Sequence, residues 1–282
     1  MIKFIFLFLT FSLYNSQNQR FYYEYNSNNS INFDNKQKDI LTLDVSSNGS
    51  IFYSDKINQL DSLYATGKTT PIFPYKDVLF KEVITNIKDE NPKLYYNGGR
   101  TKDYYEVILD NEMKWEVFPE TKTYQSYTIQ KAVTKIYNRT WEVWFTKDIP
   151  LNYGPYIFSG LPGLIISAED KSRSHSFKLT GIKKLDNVEL YTLPMFQSNY
   201  NRSGNKINLT LREFKKLLIN LESDFLNNIL SPPPAGTEVT TSKSYDSNGI
   251  EISEREFIEN QKKMRKDILK RNDNKLINDF KL

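Results

Sequence analysis

The stretch QSYTIQKAVTKIYNRTWEVWFT, residues 125–146, decides the fold. Over 125–137 apolar and polar residues alternate with a period of two, the pattern of a strand with one buried and one wet face. Asn138-Arg139 then supplies a tight turn. In the return, 140–146, Trp141, Val143 and Phe145 share one face, with Glu142 and Trp144 on the other. Two alternating runs joined by so short a turn pair antiparallel, because a parallel partner needs a crossover of about 12 residues or more.

The same period extends outward. Phe21, Tyr23 and Tyr25 line one face of 19–25, and Leu41, Leu43 and Val45 one face of 40–45. Ser46-Ser47-Asn48-Gly49 leads into Ile51-Phe52-Tyr53, and Asn-Gly between alternating runs is a hairpin signal, since both residues accept positive φ. A short helix and an irregular stretch are expected over 54–75, then strands over 79–87, 104–109 and 114–118. Residues 164–168 and 176–185 form a further hairpin turning at 170–173, followed by a strand at 188–192. The aromatic content of 14%, mostly Tyr and Phe, suits strands.

Beyond residue 210 the period changes. Leu211, Phe214, Leu218, Leu221 and Phe225 recur at spacings of three and four, the stripe of an amphipathic helix. Thr210 with Glu213 makes a capping box at its start, and Pro232-Pro233-Pro234 stops it. A polar stretch, 235–248, reads as loop or linker. Ser253 with Glu256 caps a second helix over 254–271, whose thin apolar line (Phe257, Met264, Ile268) suits the surface. The expected architecture is β-rich α+β: a curved antiparallel sheet, or two packed sheets, with the long helix against it and a polar C-terminal helix. Three regions follow: 1–16 a signal peptide, 17–234 the β-rich domain, 235–282 a polar linker and helical tail.

The leader reading rests on Lys3 followed by an uncharged, almost wholly apolar run over 4–13. Some ten apolar residues fit a signal-peptide core and fall short of the roughly 20 that span a bilayer. No later segment is apolar enough to span, so the expected location is outside the cytoplasm: periplasm, outer envelope or secreted. With no cysteine, disulfides, thiol catalysis, thiolate-held metals and a lipidated N-terminal cysteine are excluded. Lys and Arg number 38 against 34 Asp and Glu, too mild an excess to imply nucleic acid as a partner.

Between the two central hairpins the chain reads WFTKDIPLNYGPYIFSGLPGLI, residues 144–165. Pro150, Pro155 and Pro162 fix φ, while Gly154, Gly160 and Gly163 admit conformations closed to other residues. Such a loop holds a shape without secondary structure, and Ile149, Phe158, Leu161 and Leu164 can anchor it inward. These residues resemble the GLPGLI family, exported proteins of Bacteroidetes with no established activity. The resemblance covers Gly160-Leu161-Pro162-Gly163-Leu164-Ile165 in full, Gly154-Pro155 and Phe158 before it, and the run from Trp144 to Pro150. Gln130-Lys131-Ala132 and Arg139 also match, so the specific similarity spans about residues 128–177. Ile129, where many members carry cysteine, and Val143, where alanine is usual, depart from the pattern. The resemblance implies an exported envelope protein and supplies no catalytic residue.

The loop itself has two readings: a structural corner, or a recognition surface presenting outward residues such as Asn152 and Tyr156. Its two glycines match no phosphate-binding loop, lacking the spacing and the lysine. His175, the single histidine, sits at a hairpin edge among serines, with no nucleophile elbow in sight. One histidine and no cysteine make a zinc site implausible, and no cofactor is indicated. Asp148, Glu169 and Asp170 flank the loop and are the one candidate carboxylate set for a hydrolase. The leading expectation is a non-enzymatic envelope module that binds a partner protein, peptide or apolar ligand; the alternative is a hydrolase using those carboxylates.

Overall fold

A computed structural model of the chain describes residues 18–28, 36–56, 59, 82–96, 104–109, 113–137, 139–185, 205–230, 244–245, 251–253, 256 and 259, with helical side chains described as far as 220. Twelve strands form one sheet: β1 (Gln19–Asn28), β2 (Lys36–Ser46), β3 (Gly49–Ser54), β4 (Val83–Ile87), β5 (Lys93–Tyr96), β6 (Tyr104–Ile108), β7 (Trp115–Tyr124), β8 (Tyr127–Ile136), β9 (Arg139–Thr146), β10 (Leu164–Asp170), β11 (His175–Lys184) and β12 (Lys206–Leu209). Their order is β12-β6-β5-β4-β3-β2-β1-β11-β10-β9-β8-β7. Two antiparallel meanders, β1 to β6 and β7 to β11, therefore meet edge to edge where β1 pairs with β11. β12 adds to the far edge of the first meander, parallel to β6, and leads into helix α1 (Leu211–Leu230).

The alternation read from the sequence sets which face is inside. Phe21, Tyr23 and Tyr25 are buried while Tyr22 and Glu24 are half-exposed. Trp141, Val143 and Phe145 join them on the concave face. The second meander curls: Tyr124, at the end of β7, donates its hydroxyl to the Leu179 carbonyl of β11 at 3.0 Å, although three strands lie between in the sheet. At the other edge α1 covers β5 and β6. Phe214 is fully buried and meets the Tyr96 ring edge-on at 5.5 Å, one turn before buried Leu218. The capping box forms as expected, Thr210 N–H donating to Glu213 Oε2 at 2.8 Å and Glu213 N–H to Thr210 Oγ1 at 3.3 Å. Leu218→Ala should cost about 2–3 kcal/mol in a denaturant melt, the low end for a buried leucine because only edge strands lie beneath it. Lys215→Ala should move the same melt by about 0.5 kcal/mol or less.

β3 is buried on both faces. On the convex side Arg20 grips Asp44 with two 2.7 Å hydrogen bonds, and the Tyr53 hydroxyl donates to the same carboxylate at 2.8 Å. Hydrogen bonding to Asp44 raises the Arg20 pKa further above its already high value, and burial pushes the Tyr53 phenol up. This polar trio is fully paired, as a buried charge must be.

The sheet differs from expectation in four places. β5 and β12 are additional strands of four residues each, too short to show a periodicity in the sequence. The β6–β12 pairing is parallel, against the expectation of an all-antiparallel sheet. β7 continues to Tyr124 through Pro119, with a register shift between Val117 and Thr121; an edge strand tolerates a proline there because its missing N–H need bond nothing. Within the polar 235–248 stretch Ser244–Tyr245 pairs with Glu251–Ile252. The 1–16 leader, the 188–192 strand, the side chains of Leu221 and Phe225, the proline stop and the boundary at 234–235 lie outside the described residues. So does most of the 254–271 helix, of which Glu256 and Glu259 are helical.

Candidate functional site

The connection from β9 to β10, residues 147–163, folds into a compact loop whose ends are tied together. Leu164 N–H reaches the Ile149 carbonyl at 3.0 Å, Gly160 N–H the Asn152 carbonyl at 2.9 Å, and Phe158 N–H the Pro155 carbonyl at 3.2 Å. Tyr153 and Ser159 form an isolated bridge across it. The geometry is that of an Ω-loop, packed by its own side chains. Tyr156, Ile157, Phe158 and Leu161 turn into the concave face and are buried. There Phe158 meets Trp141 edge-on at 5.0 Å, and Tyr156 stacks on Phe177 at 6.2 Å.

Two long side chains fasten the loop from outside. Trp115 of β7 donates its indole N–H to the Ser159 carbonyl at 2.8 Å, and Tyr23 of β1 donates its hydroxyl to the Ile165 carbonyl at 2.6 Å. Burial raises the Tyr23 phenol pKa, which keeps it a donor at any physiological pH. In the sequence both anchors are simply strand aromatics, and no local signal marks them. The glycines have separate causes. A Cβ on Gly163 would collide with the Thr146 carbonyl, and one on Gly154 would stand 2.7 Å from the Ile165 side chain. Gly160 instead has φ +91° with open space around it.

Of the two candidate recognition residues, only one faces outward. Asn152 is exposed, along with Pro150, Gly160 and Pro162, and together they form the loop's rim. The outward placement expected for Tyr156 is not found: its φ of +57° swings the ring inward, leaving it 3% exposed. Pro155, Leu164 and Ile165 are buried with it. Trp144 lies on the convex face under Lys122, whose ammonium sits 3.6 Å from the ring centroid, and donates to Glu142 at 3.1 Å.

The three carboxylates do not converge. In the β9–β10 ladder Thr146 pairs with Leu164 and Trp141 with Asp170, so Asp148 and Asp170 lie at opposite ends of the hairpin. Five residues at about 3.3 Å each separate those rungs by roughly 17 Å, against the roughly 5–10 Å that paired-carboxylate hydrolysis requires. Asp170 is 2% exposed and wholly engaged: Arg139 Nη1 at 3.0 Å, the His175 backbone N–H at 2.7 Å, and the Ser172 hydroxyl. Asp148 accepts the Thr128 N–H at 3.1 Å, and Glu169 is exposed opposite Glu142. His175, expected at a solvated edge, is 1% exposed, its Nδ1 2.8 Å from the Tyr25 hydroxyl. Its ring therefore does not bridge Ser172 to Asp170, and a Ser-His-acid relay is not assembled. Among the described residues no group of three or more His, Asp or Glu could hold a metal, and no helix is long and apolar enough to cross a membrane.

Among known proteins, a family model described as the N-glycanase peptide N-terminal domain (PNGase F-II) matches residues 85–203. The likeness is to a domain, not to a whole enzyme. Two solved structures of PNGF-II, in space groups P21 and C2, align with TM-scores of 0.52 and 0.51 at 18% and 17% identity. Each alignment covers 73% of this chain and 34% of the PNGF-II chain, so the chain spans about a third of the length of the structures it matches. At that identity the likeness is one of fold. No curated protein matches the sequence.

Proposed function

We propose that this is an exported cell-envelope protein of the GLPGLI family whose sheet-and-loop domain is a non-catalytic binding module for a partner protein or peptide. The single observation that carries the reading is the loop: it is pinned at both ends, packed from beneath, and offers a fixed polar rim at Asn152. A rigid loop on a sheet scaffold recognises partners at low entropic cost, because nothing need be ordered on binding. Export is supported by the apolar run after Lys3, and a modular role by the likeness to a domain of a longer protein. The separated, structurally engaged carboxylates weigh against the hydrolase alternative.

Affinity capture from envelope extracts with the tagged, mature protein tests this. Asn152→Ala should melt like the parent, because the hydrogen bond to Gly160 uses the Asn152 backbone carbonyl, yet retain about tenfold less partner. Wild-type capture by Asn152→Ala and by Pro162→Ser together would remove the rim from the reading.

A further inference from the structure

Where the loop tip faces β3 and β4 it leaves a crevice of about 230 Å³, counting its open mouth. The floor is two rungs of the β3–β4 ladder, Ser50 opposite Asn86 and Phe52 opposite Ile84. Tyr156 and Phe158 of the loop line the other side. The crevice thus has a polar rung beside an apolar one, with aromatic rings across from both. No lining side chain is charged at neutral pH. Ser50 is 6% exposed, yet among the described residues neither its hydroxyl nor the Asn86 carboxamide has a hydrogen-bond partner. A polar group held in so apolar a setting without a partner is costly, and a facing pair of them is a recognition feature.

We propose that this crevice seats the carboxamide of an asparagine or glutamine side chain from an extended peptide partner. The proposal deepens the binding-module reading and rests on it. A carboxamide carries two N–H donors and one carbonyl acceptor in a plane, so it can exchange paired hydrogen bonds with the Asn86 carboxamide while Ser50 meets a third site. An aliphatic side chain would leave both floor groups unpaired. A carboxylate or ammonium would be stripped of water with no counter-charge to meet it. The size agrees: the crevice is smaller than the roughly 300–1,000 Å³ of a pocket for a whole small ligand, and suits one side chain.

Fluorescence anisotropy of the purified full chain decides it, using dye-labelled Gly/Ser peptides whose central residue is Gln, Asn, Glu, Asp, Leu or Ala. The Gln or Asn peptide should bind about tenfold or more tightly than its charged isostere and than Leu or Ala. Asn86→Leu should erase that preference and improve the Leu peptide; Ser50→Ala should reduce it by a smaller factor, with the melt of each variant as a folding control. Equal binding of Gln and Glu peptides, or a preference that survives both substitutions, overturns the proposal. If no peptide binds while Asn152-dependent capture from extracts persists, the crevice assignment fails and the binding-module reading stands; loss of both would remove both.

Discussion

Asp170→Ala is expected to destabilise the domain by about 3–5 kcal/mol, read as a shift of the urea midpoint at unchanged slope. The carboxylate is 2% exposed and closes the β10–β11 turn by accepting from the His175 N–H and the Ser172 hydroxyl while holding Arg139. Its removal leaves the Arg139 guanidinium, itself only 14% exposed, facing a void where the carboxylate stood. That stranded cation is the larger part of the effect, because the pair's own attraction is offset by desolvation. Asp148→Ala is the control: an exposed carboxylate accepting from the Thr128 N–H should cost about 1 kcal/mol or less. Equal midpoints for the two variants would show that Asp170 is not what holds the turn closed.

The second large effect is expected at Gly163. Alanine there drives a Cβ into the Thr146 carbonyl, and neither backbone can yield, since Thr146 pairs with Leu164 in the ladder. A loss of about 3 kcal/mol or more should follow, with the near-ultraviolet signal of the Trp141 cluster changing as the loop lifts. Gly160→Ala provides the contrast. That site has space and only an unfavourable φ of +91°, so about 1–2 kcal/mol should be lost and the packing signal kept. The reverse order of these two glycines would mean that conformation, not contact, governs the hexapeptide.

Most strands are legible in the sequence because their faces differ. In β1 the alternation of Phe21, Tyr23 and Tyr25 with Tyr22 and Glu24 matches burial residue by residue, and α1 announces itself through Phe214 and Leu218. What sequence cannot supply is anything fixed by three-dimensional curvature. Tyr156 reads as an outward loop residue because nothing local reveals a left-handed backbone at a tyrosine. His175 and Asp170 read as wet turn residues because their cover comes from Tyr25 and Arg139, distant in sequence. The crevice depends on Ser50 and Asn86 falling on one rung beneath a loop that comes much later in the chain, a coincidence of register that no short window contains.

The meeting of β1 with β11 has a kinetic consequence. Each meander can grow by successive hairpins between neighbours in sequence, but this junction joins partners as far apart as Tyr25 and His175, 150 residues, and must await the closure of a very long loop. Until it closes, β1 is a bare edge presenting Phe21, Tyr23 and Tyr25 beside unpaired backbone, the kind of strand that recruits the wrong neighbour. The loop cannot be locked earlier either, since the Tyr23 bond to Ile165 and the Phe52–Phe177 ring contact at 6.1 Å both span the junction. Closing the sheet and filling its hollow are therefore one event. Neither meander has a finished core of its own, so the two halves should gain protection from hydrogen exchange together and late in folding.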